Sequence, residues 1–245
     1  MYSNGYIFRY AGILVIVVAA VLSTTALVLK PFQDKNDAVD KMQSILVAAG
    51  FEGVTAQNAI ELFNKNVSNM MVIDPEGNVV DDFTGEGKEK SKAFGLNLKE
   101  ELYKKSVQKP FELPLYVVQK EGQKIYIVPM RGVGLWGPIW GNMALKDDFK
   151  TVVGVTFGHK SETPGLGAEI ATPIFTTQFP GKTIFDSNDK FVSVSVVKGG
   201  IANQPAEKQP HMVDAISGGT ITSNGVSEML ENVLESYEPF IKKQS

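Results

Sequence analysis

The feature that most constrains this chain is an uncharged run from Tyr10 to Leu29, flanked by Arg9 and Lys30. As a helix rising ~1.5 Å per residue, this run reaches across the roughly 30 Å of hydrocarbon in a bilayer. A core helix of that length normally carries a polar stripe, and the apolar part of a signal peptide is shorter, about 7 to 15 residues. Cleavage after small residues such as Ala19-Ala20 stays open, but we expect an uncleaved anchor that contacts membrane lipid.

The charges beside this run do not orient it. Arg9 precedes it, and Lys30, Lys35 and Lys41 follow it. Orientation depends on which flank is richer in Lys and Arg, and this count does not point the larger part of the chain outward. The sequence therefore predicts an N-terminal tail at 1–9, a transmembrane helix at 10–29 and one domain at 30–245, with its side of the membrane left open.

Composition removes several classes of function. The chain has 24 basic and 27 acidic side chains, a net charge of −3, which is the wrong sign for a nucleic-acid binder. It has no cysteine, which excludes disulfides, thiolate nucleophiles, Cys-ligated zinc and protein-held iron–sulfur clusters. The histidines, His159 and His211, are too few for a His-rich metal site. Redox chemistry would therefore need an organic cofactor.

The pattern after the anchor favours an α+β fold with a largely antiparallel sheet flanked by helices. Turn residues between short apolar runs predict two hairpins, and alternation predicts later strands. The segment at about 84–106 is polar, so we expect a surface excursion that includes a short exposed helix. The predicted strands are 70–73, 79–80, 115–119, 124–130, 151–158 and 191–197, and the predicted helices are 39–49, 56–67, 98–105 and 226–241.

The loop before the last helix is dense in glycines and hydroxyls. Ser217, Gly218, Gly219, Thr220 and Thr222 follow one another within a few residues there. Glycines let backbone N–H groups approach an anion, and a helix start adds unpaired N–H groups with partial positive charge. The same residue types are also ordinary helix caps, so composition alone leaves a plain capping loop as the alternative.

The order of residues in this loop resembles a known motif. Asp214-x-x-Ser217-Gly218-Gly219-Thr220 is similar to the flavinylation motif of FMN-binding domains, Asp-x-x-Ser/Thr-Gly-Ala-Thr, with Gly219 where the family usually has Ala. The resemblance implies that the oxygen of Thr220 is esterified to the phosphate of FMN by a flavin transferase. It makes Asp214 a loop organiser that the transferase recognises. Thr222 is the next candidate for attachment.

Two further segments support the same resemblance. Glu162-Thr163-Pro164-Gly165-Leu166-Gly167 matches a segment of these domains, and without the resemblance it is equally a plain surface turn. The string from Arg131 to Gly141 holds both tryptophans, Trp136 and Trp140, which can stack on a flavin ring or fill a core. This string resembles the C subunit of the sodium-translocating NADH:quinone oxidoreductases. The related G subunit of ion-translocating ferredoxin:NAD oxidoreductases usually lacks its Leu-Trp pair, and stays the alternative.

The resemblance implies a membrane-anchored flavoprotein subunit. Its FMN domain would lie on the outer face of the cytoplasmic membrane and pass electrons between other membrane subunits of the complex, while NADH is oxidised elsewhere. The implied FMN contacts are Asp214, Ser217, Gly218, Gly219, Thr222, Glu162, Thr163, Gly165, Leu166, Gly167 and Trp136. No residue is assigned acid–base catalysis, and His159 is interpreted as structural. A non-redox phosphate-binding module and a structural subunit without cofactor remain alternative classes.

Overall fold

A computed structural model describes residues 3–244, and these form two compact units that divide between Lys41 and Met42. The first unit consists of the greater part of one helix, α1 (Asn4–Ala48), which continues through Pro31. It begins before the predicted anchor at 10–29; residues 1 and 2 of the predicted tail lie outside the described residues. Within residues 3–244, α1 is the one helix long and apolar enough to span a membrane, and its most apolar 18-residue stretch has a mean hydropathy of 2.7.

The second unit is built on a six-stranded antiparallel sheet with the order β2-β1-β3-β4-β5-β6. A separate pair, β7 and β8, is parallel. The fold is α+β with a mainly antiparallel sheet, as the sequence predicts. The strands are β1 (Val67–Ile73), β2 (Val79–Phe83), β3 (Leu113–Lys120), β4 (Gln123–Val133), β5 (Pro138–Leu145), β6 (Val152–His159), β7 (Ser195–Val197) and β8 (Met212–Asp214).

The helices of this unit are mostly short, apart from the last one. The end of α1 belongs to it, and α1 stops before Gly50, whose φ of +81° is the left-handed conformation that ends many helices. The others are α2 (Ala59–Asn66), α3 (Lys92–Gly95), α4 (Leu98–Ser106), α5 (Pro173–Thr176) and α6 (Thr220–Gln244), with 3₁₀ turns at Lys88–Lys90, Gly167–Ala171, Ile201–Asn203 and Gln209–His211.

Both predicted hairpins form. Between β1 and β2, the Asp74 carboxylate accepts the Asn78 N–H at 2.7 Å, and Gly77 takes a φ of +78°. Between β3 and β4, Glu121 and Gly122 both have positive φ, as a two-residue hairpin turn requires. These turns fix the register of the four strands that they join.

The core lies between the sheet and α6. The apolar stripe predicted on this helix is buried against β4 and its neighbours, as Val226, Met229, Leu230, Val233, Leu234, Tyr237 and Ile241 are all nearly inaccessible. The Tyr237 hydroxyl donates to the Pro114 carbonyl at 2.6 Å, which satisfies a buried polar group. Nearer its start, α6 packs closely on the end of β4, where Gly132 lies against the Met229 side chain.

Two strand predictions need correction. Strand β5 is absent from the predicted strands, because its mostly continuous burial hides the alternation that marks a strand. The strand predicted at 191–197 is limited to β7, since Ser193 takes a φ of +58° and interrupts the extended backbone. Without β5, the sheet would lack the strand that carries Trp140.

The segment at 84–106 is more than a surface excursion. Ala93 and Phe94 are buried, and the Phe94 ring meets the Phe63 ring edge-on at 5.8 Å. The Glu101 carboxylate, also buried, accepts the Glu112 N–H at 2.8 Å. Ala93 and Phe94, with the partly buried Leu98 and Leu102, dock the segment on β1, β3 and β4, which the composition did not indicate.

Candidate functional site

The three segments singled out in the sequence meet at one cavity. This cavity has a volume of about 220 Å³ and lies at the start of α6. One wall comes from the loop between β4 and β5, a second from the turn after β6, and a third from the loop that leads into α6. The lining residues are Leu135, Glu162, Thr163, Leu166, Gly167, Gly218, Gly219, Thr220, Ile221 and Thr222.

The floor of the cavity is the first turn of α6. Thr220 is its first residue and is exposed, and the Ser223 N–H begins the helical ladder by donating to the Gly219 carbonyl at 2.9 Å. The first N–H groups of a helix have no partner within it and carry partial positive charge. An anionic group beside Thr220 would meet these donors.

Gly218 shapes the corner just before the helix. Its φ of +74° is in the left-handed region, and a Cβ there would lie 2.6 Å from the Leu166 Cδ2. Glycine is therefore required on two counts, conformation and space. The Gly219 N–H donates to the Ile216 carbonyl at 3.0 Å, which closes the turn.

A buried carboxylate joins the three walls. Glu162 is 5% exposed; its Oε1 accepts the Trp136 N–H at 2.8 Å, and its Oε2 accepts the Thr222 hydroxyl at 2.6 Å. Both oxygens accept, which is the pattern of an ionised carboxylate. Glu162 thus ties the β4–β5 loop to the helix that begins at Thr220.

Glycines pack closely around this carboxylate. A Cβ on Gly167 would overlap both Glu162 Oε2 and Thr222 Oγ1, and one on Gly134 would lie 2.5 Å from Glu162 Oε1. Further along α6, a Cβ on Gly225 would collide with the Val133 carbonyl. Gly225 therefore lets the helix approach β4 closely, Gly167 lets the turn after β6 approach the helix start, and Gly134 makes room for the carboxylate.

Four of the residues chosen from the sequence do not line the cavity. The Asp214 carboxylate accepts the Ile201 N–H at 2.6 Å, the role of a loop organiser, and Ser217 is exposed. Gly165 has a φ of +76°, and its N–H donates to the Glu169 carboxylate at 2.9 Å. The Trp136 side chain is 63% exposed, and its backbone N–H makes the contact with Glu162.

Two lining residues were not among those candidates. Leu135 and Ile221 are large, apolar and about half exposed at the cavity. Leu135 stands beside Trp136 in the string from Arg131 to Gly141 and lines the cavity, which Trp136 does not. Ile221 follows Thr220, and an apolar residue at a helix start gives no signal by itself.

The histidine before the turn acts structurally. The Nδ1 of His159 accepts the Glu162 N–H at 3.2 Å, which stabilises the backbone at the residue whose carboxylate joins the walls. Among the described residues, no group of histidine and carboxylate side chains is arranged to hold a metal ion.

The arrangement fits a planar apolar group that carries an anion. Leu135, Leu166 and Ile221 supply apolar surface, and the helix start supplies N–H donors to the same cavity. A phosphate attached through a flexible linker to a flat ring meets both requirements.

The comparisons with known proteins define the class. Residues 134–235 match the FMN-binding domain family, a range that contains every lining residue of the cavity. The chain therefore carries an FMN-binding domain, and the three walls of the cavity all belong to it.

Comparison with individual relatives identifies which family of FMN-binding-domain proteins the chain belongs to. The chain is 34% identical to the C subunit of the Na(+)-translocating NADH-quinone reductase of Vibrio anguillarum, over 93% of this chain and 90% of that one. It is 31% identical to the same subunit of Pseudomonas aeruginosa, over 90% and 87%. A crystal structure of this subunit from Parabacteroides distasonis superposes with a TM-score of 0.75 at 36% identity, covering 89% and 98% of the two chains. The chain belongs to the family of Na(+)-translocating NADH-quinone reductase C subunits, which are components of an oxidoreductase complex.

Proposed function

We propose that this chain is a membrane-anchored electron carrier whose FMN is esterified to Thr220. It would serve within a sodium-translocating NADH-quinone reductase. The observation that carries the proposal is an exposed threonine hydroxyl at the first residue of α6, in the wall of the cavity. Family membership supports the complex, and the FMN-binding domain supports the cofactor.

The surroundings of the neighbouring hydroxyls favour Thr220 as the attachment point. Thr222 is 2% exposed, and its hydroxyl proton is donated to Glu162. Ser217 is exposed but does not line the cavity. Thr220 alone among these three combines exposure with a place in the cavity wall, so a phosphate attached there lies beside the N-terminal amides of α6.

The ester forms without oxidation or reduction. The Thr220 oxygen bonds to the phosphorus of a flavin nucleotide whose phosphate is activated as an anhydride. The anhydride P–O bond breaks, the other nucleotide leaves, and the hydroxyl proton passes to solvent. A flavin transferase would supply this donor and the catalysis. Once bound, FMN supplies redox chemistry that accepts and releases electrons; the protein holds the group, limits its movement and excludes water from one side.

The same proposal places the domain outside the cytoplasm. α1 would anchor the chain in the cytoplasmic membrane through lipid contacts, with the FMN-binding domain on the outer face beside other membrane subunits. A covalent tether suits a carrier in a compartment where released FMN would be lost. Since NADH would be oxidised on another subunit, the isolated chain should have no specific turnover.

The test is to produce the full chain together with a flavin transferase and to denature it. We expect the denatured protein to stay yellow and the peptide bearing Thr220 to gain the mass of one FMN phosphate. Thr220→Ala should be colourless, whereas Thr177→Ala, the same change at an exposed threonine outside the motif and the cavity, should keep the label.

Two results would contradict the proposal. A wild-type chain that loses all flavin on denaturation would argue for a module that binds a phosphorylated ligand without a covalent bond. A label that persists in Thr220→Ala would show that FMN is attached to another hydroxyl.

A further inference from the structure

Glu162 has a position that the attachment of FMN does not explain. It makes no bond to Thr220, yet it is a buried carboxylate in the cavity wall with two donors from segments far apart in the chain. Burying a charge is costly unless it is well paired. A carboxylate held there at that cost places a negative charge in the cavity wall, which an apolar residue would not do.

We infer that Glu162 is a positioning residue for the flavin, an inference that rests on the proposed function. Its carboxylate clamps the loop that holds Leu135 and Trp136 to α6 and places a negative charge beside the redox group. The clamp depends on two acceptors, one for the Trp136 N–H and one for the Thr222 hydroxyl. The charge lies in the wall of the cavity, where it opposes the addition of electrons and so lowers the reduction potential of the flavin.

The tight packing holds the carboxylate in place. Gly134 and Gly167 leave no room for a larger group or for a shift of the side chain. Glutamine in place of Glu162 keeps the size, and its amide oxygen can accept the Trp136 N–H while its amide N–H donates to the Thr222 hydroxyl. Both bonds are then neutral and weaker, so the clamp is loosened and the negative charge is lost.

The chain offers a matched control in the same turn. The Glu169 carboxylate accepts one N–H, that of Gly165, and does not line the cavity. Glutamine supplies the single acceptor that this position needs. The same chemical change should therefore be silent at Glu169 and disruptive at Glu162.

The experiment compares the full chain, wild type, Glu162→Gln and Glu169→Gln, each produced with the transferase. Hydrogen–deuterium exchange of the peptide with Trp136 measures the clamp. Replacing a charge-assisted hydrogen bond by a neutral one should speed exchange of the Trp136 amide by about five- to tenfold in Glu162→Gln. The midpoint potential of the attached flavin should rise in Glu162→Gln and stay at the wild-type value in Glu169→Gln.

Two outcomes overturn the inference. One is an unchanged potential in a Glu162→Gln chain that carries FMN, and the other is an unchanged exchange rate at Trp136. If even the wild type carries no covalent FMN, the proposed function fails, while the exchange data still decide whether the clamp exists. The experiment therefore distinguishes a failure of the Glu162 clamp from a failure of the proposed covalent attachment of FMN.

Discussion

The replacement Gly167→Ala tests the packing around the buried carboxylate. The φ of Gly167 is outside the left-handed region, so alanine fits the backbone and the whole penalty is steric. Its Cβ would overlap Glu162 Oε2 and Thr222 Oγ1, atoms that are joined by a 2.6 Å hydrogen bond. Making room requires that this bond break and that the helix start move away from the turn after β6.

The magnitude follows from these two effects. A hydrogen bond to a charged group contributes about 1.5–3 kcal/mol, and an extra methyl in a packed site costs about 1–3 kcal/mol. Together they predict a loss of about 3–5 kcal/mol in the free energy of unfolding. For a domain of this size, each kcal/mol lowers Tm by about 2–4 °C, so Tm should fall by roughly 10 °C.

Thermal unfolding of the full chain in detergent, followed by tryptophan fluorescence, measures this change. Both tryptophans, Trp136 and Trp140, lie in the second unit, so the signal reports that unit. Gly165→Ala is the control: it introduces the same methyl into the same turn, where no atom is within 4 Å, and its penalty is the strain of a positive φ, about 1–2 kcal/mol. If Gly167→Ala melts no lower than Gly165→Ala, the steric argument is refuted.

Four other outcomes follow from the structure. Gly218→Ala places a Cβ 2.6 Å from Leu166 in a left-handed backbone, so intact mass spectrometry should show a smaller flavinylated fraction than in wild type. Tyr237→Phe removes the hydrogen bond to the buried Pro114 carbonyl and should lower the free energy of unfolding in urea by about 1–3 kcal/mol. Burial raises the pKa of Tyr237 well above the usual value, so the neutral phenol stabilises the fold fully below about pH 10, the pKa in the unfolded chain, and stability should fall as pH rises above it. The tyrosinate absorbance of Tyr237, taken as the difference between wild type and Tyr237→Phe, should appear only on unfolding. Leu135→Ala removes apolar wall, so the fluorescence of the attached flavin should become more accessible to acrylamide; equal quenching would exclude Leu135 as a wall of the flavin site.

Local signals in the sequence were enough to predict the two hairpins and the last helix. Asp74 to Asn78 combine a turn proline, a glycine and an asparagine, and each acts over a few residues. The stripe on α6 repeats over several turns, so its burial follows from its period. The membrane-length run in α1 is visible by composition alone.

The parts that could not be predicted depend on long-range partners. Glu162 contacts Trp136 across 26 residues and Thr222 across 60, and no local pattern encodes either pairing. The sequence therefore placed Glu162 and Trp136 in the right segments without showing that a backbone N–H, rather than the indole ring, is what Glu162 binds. Strand β5 was missed for a related reason, since burial on both faces removed its alternation.

The assembly of the cavity from distant segments has a consequence for maturation. A newly made chain contains the Thr220 hydroxyl at once, but the wall from Leu135 and the turn after β6 meet it only when β5 has paired with β6 and α6 has settled on β4. Closing loops of 26 and 60 residues places these contacts among the slower events of folding. A transferase that recognises the folded site around Thr220 would modify correctly folded chains and leave the others unmodified. Attached flavin would then also mark the chains that have reached the native state.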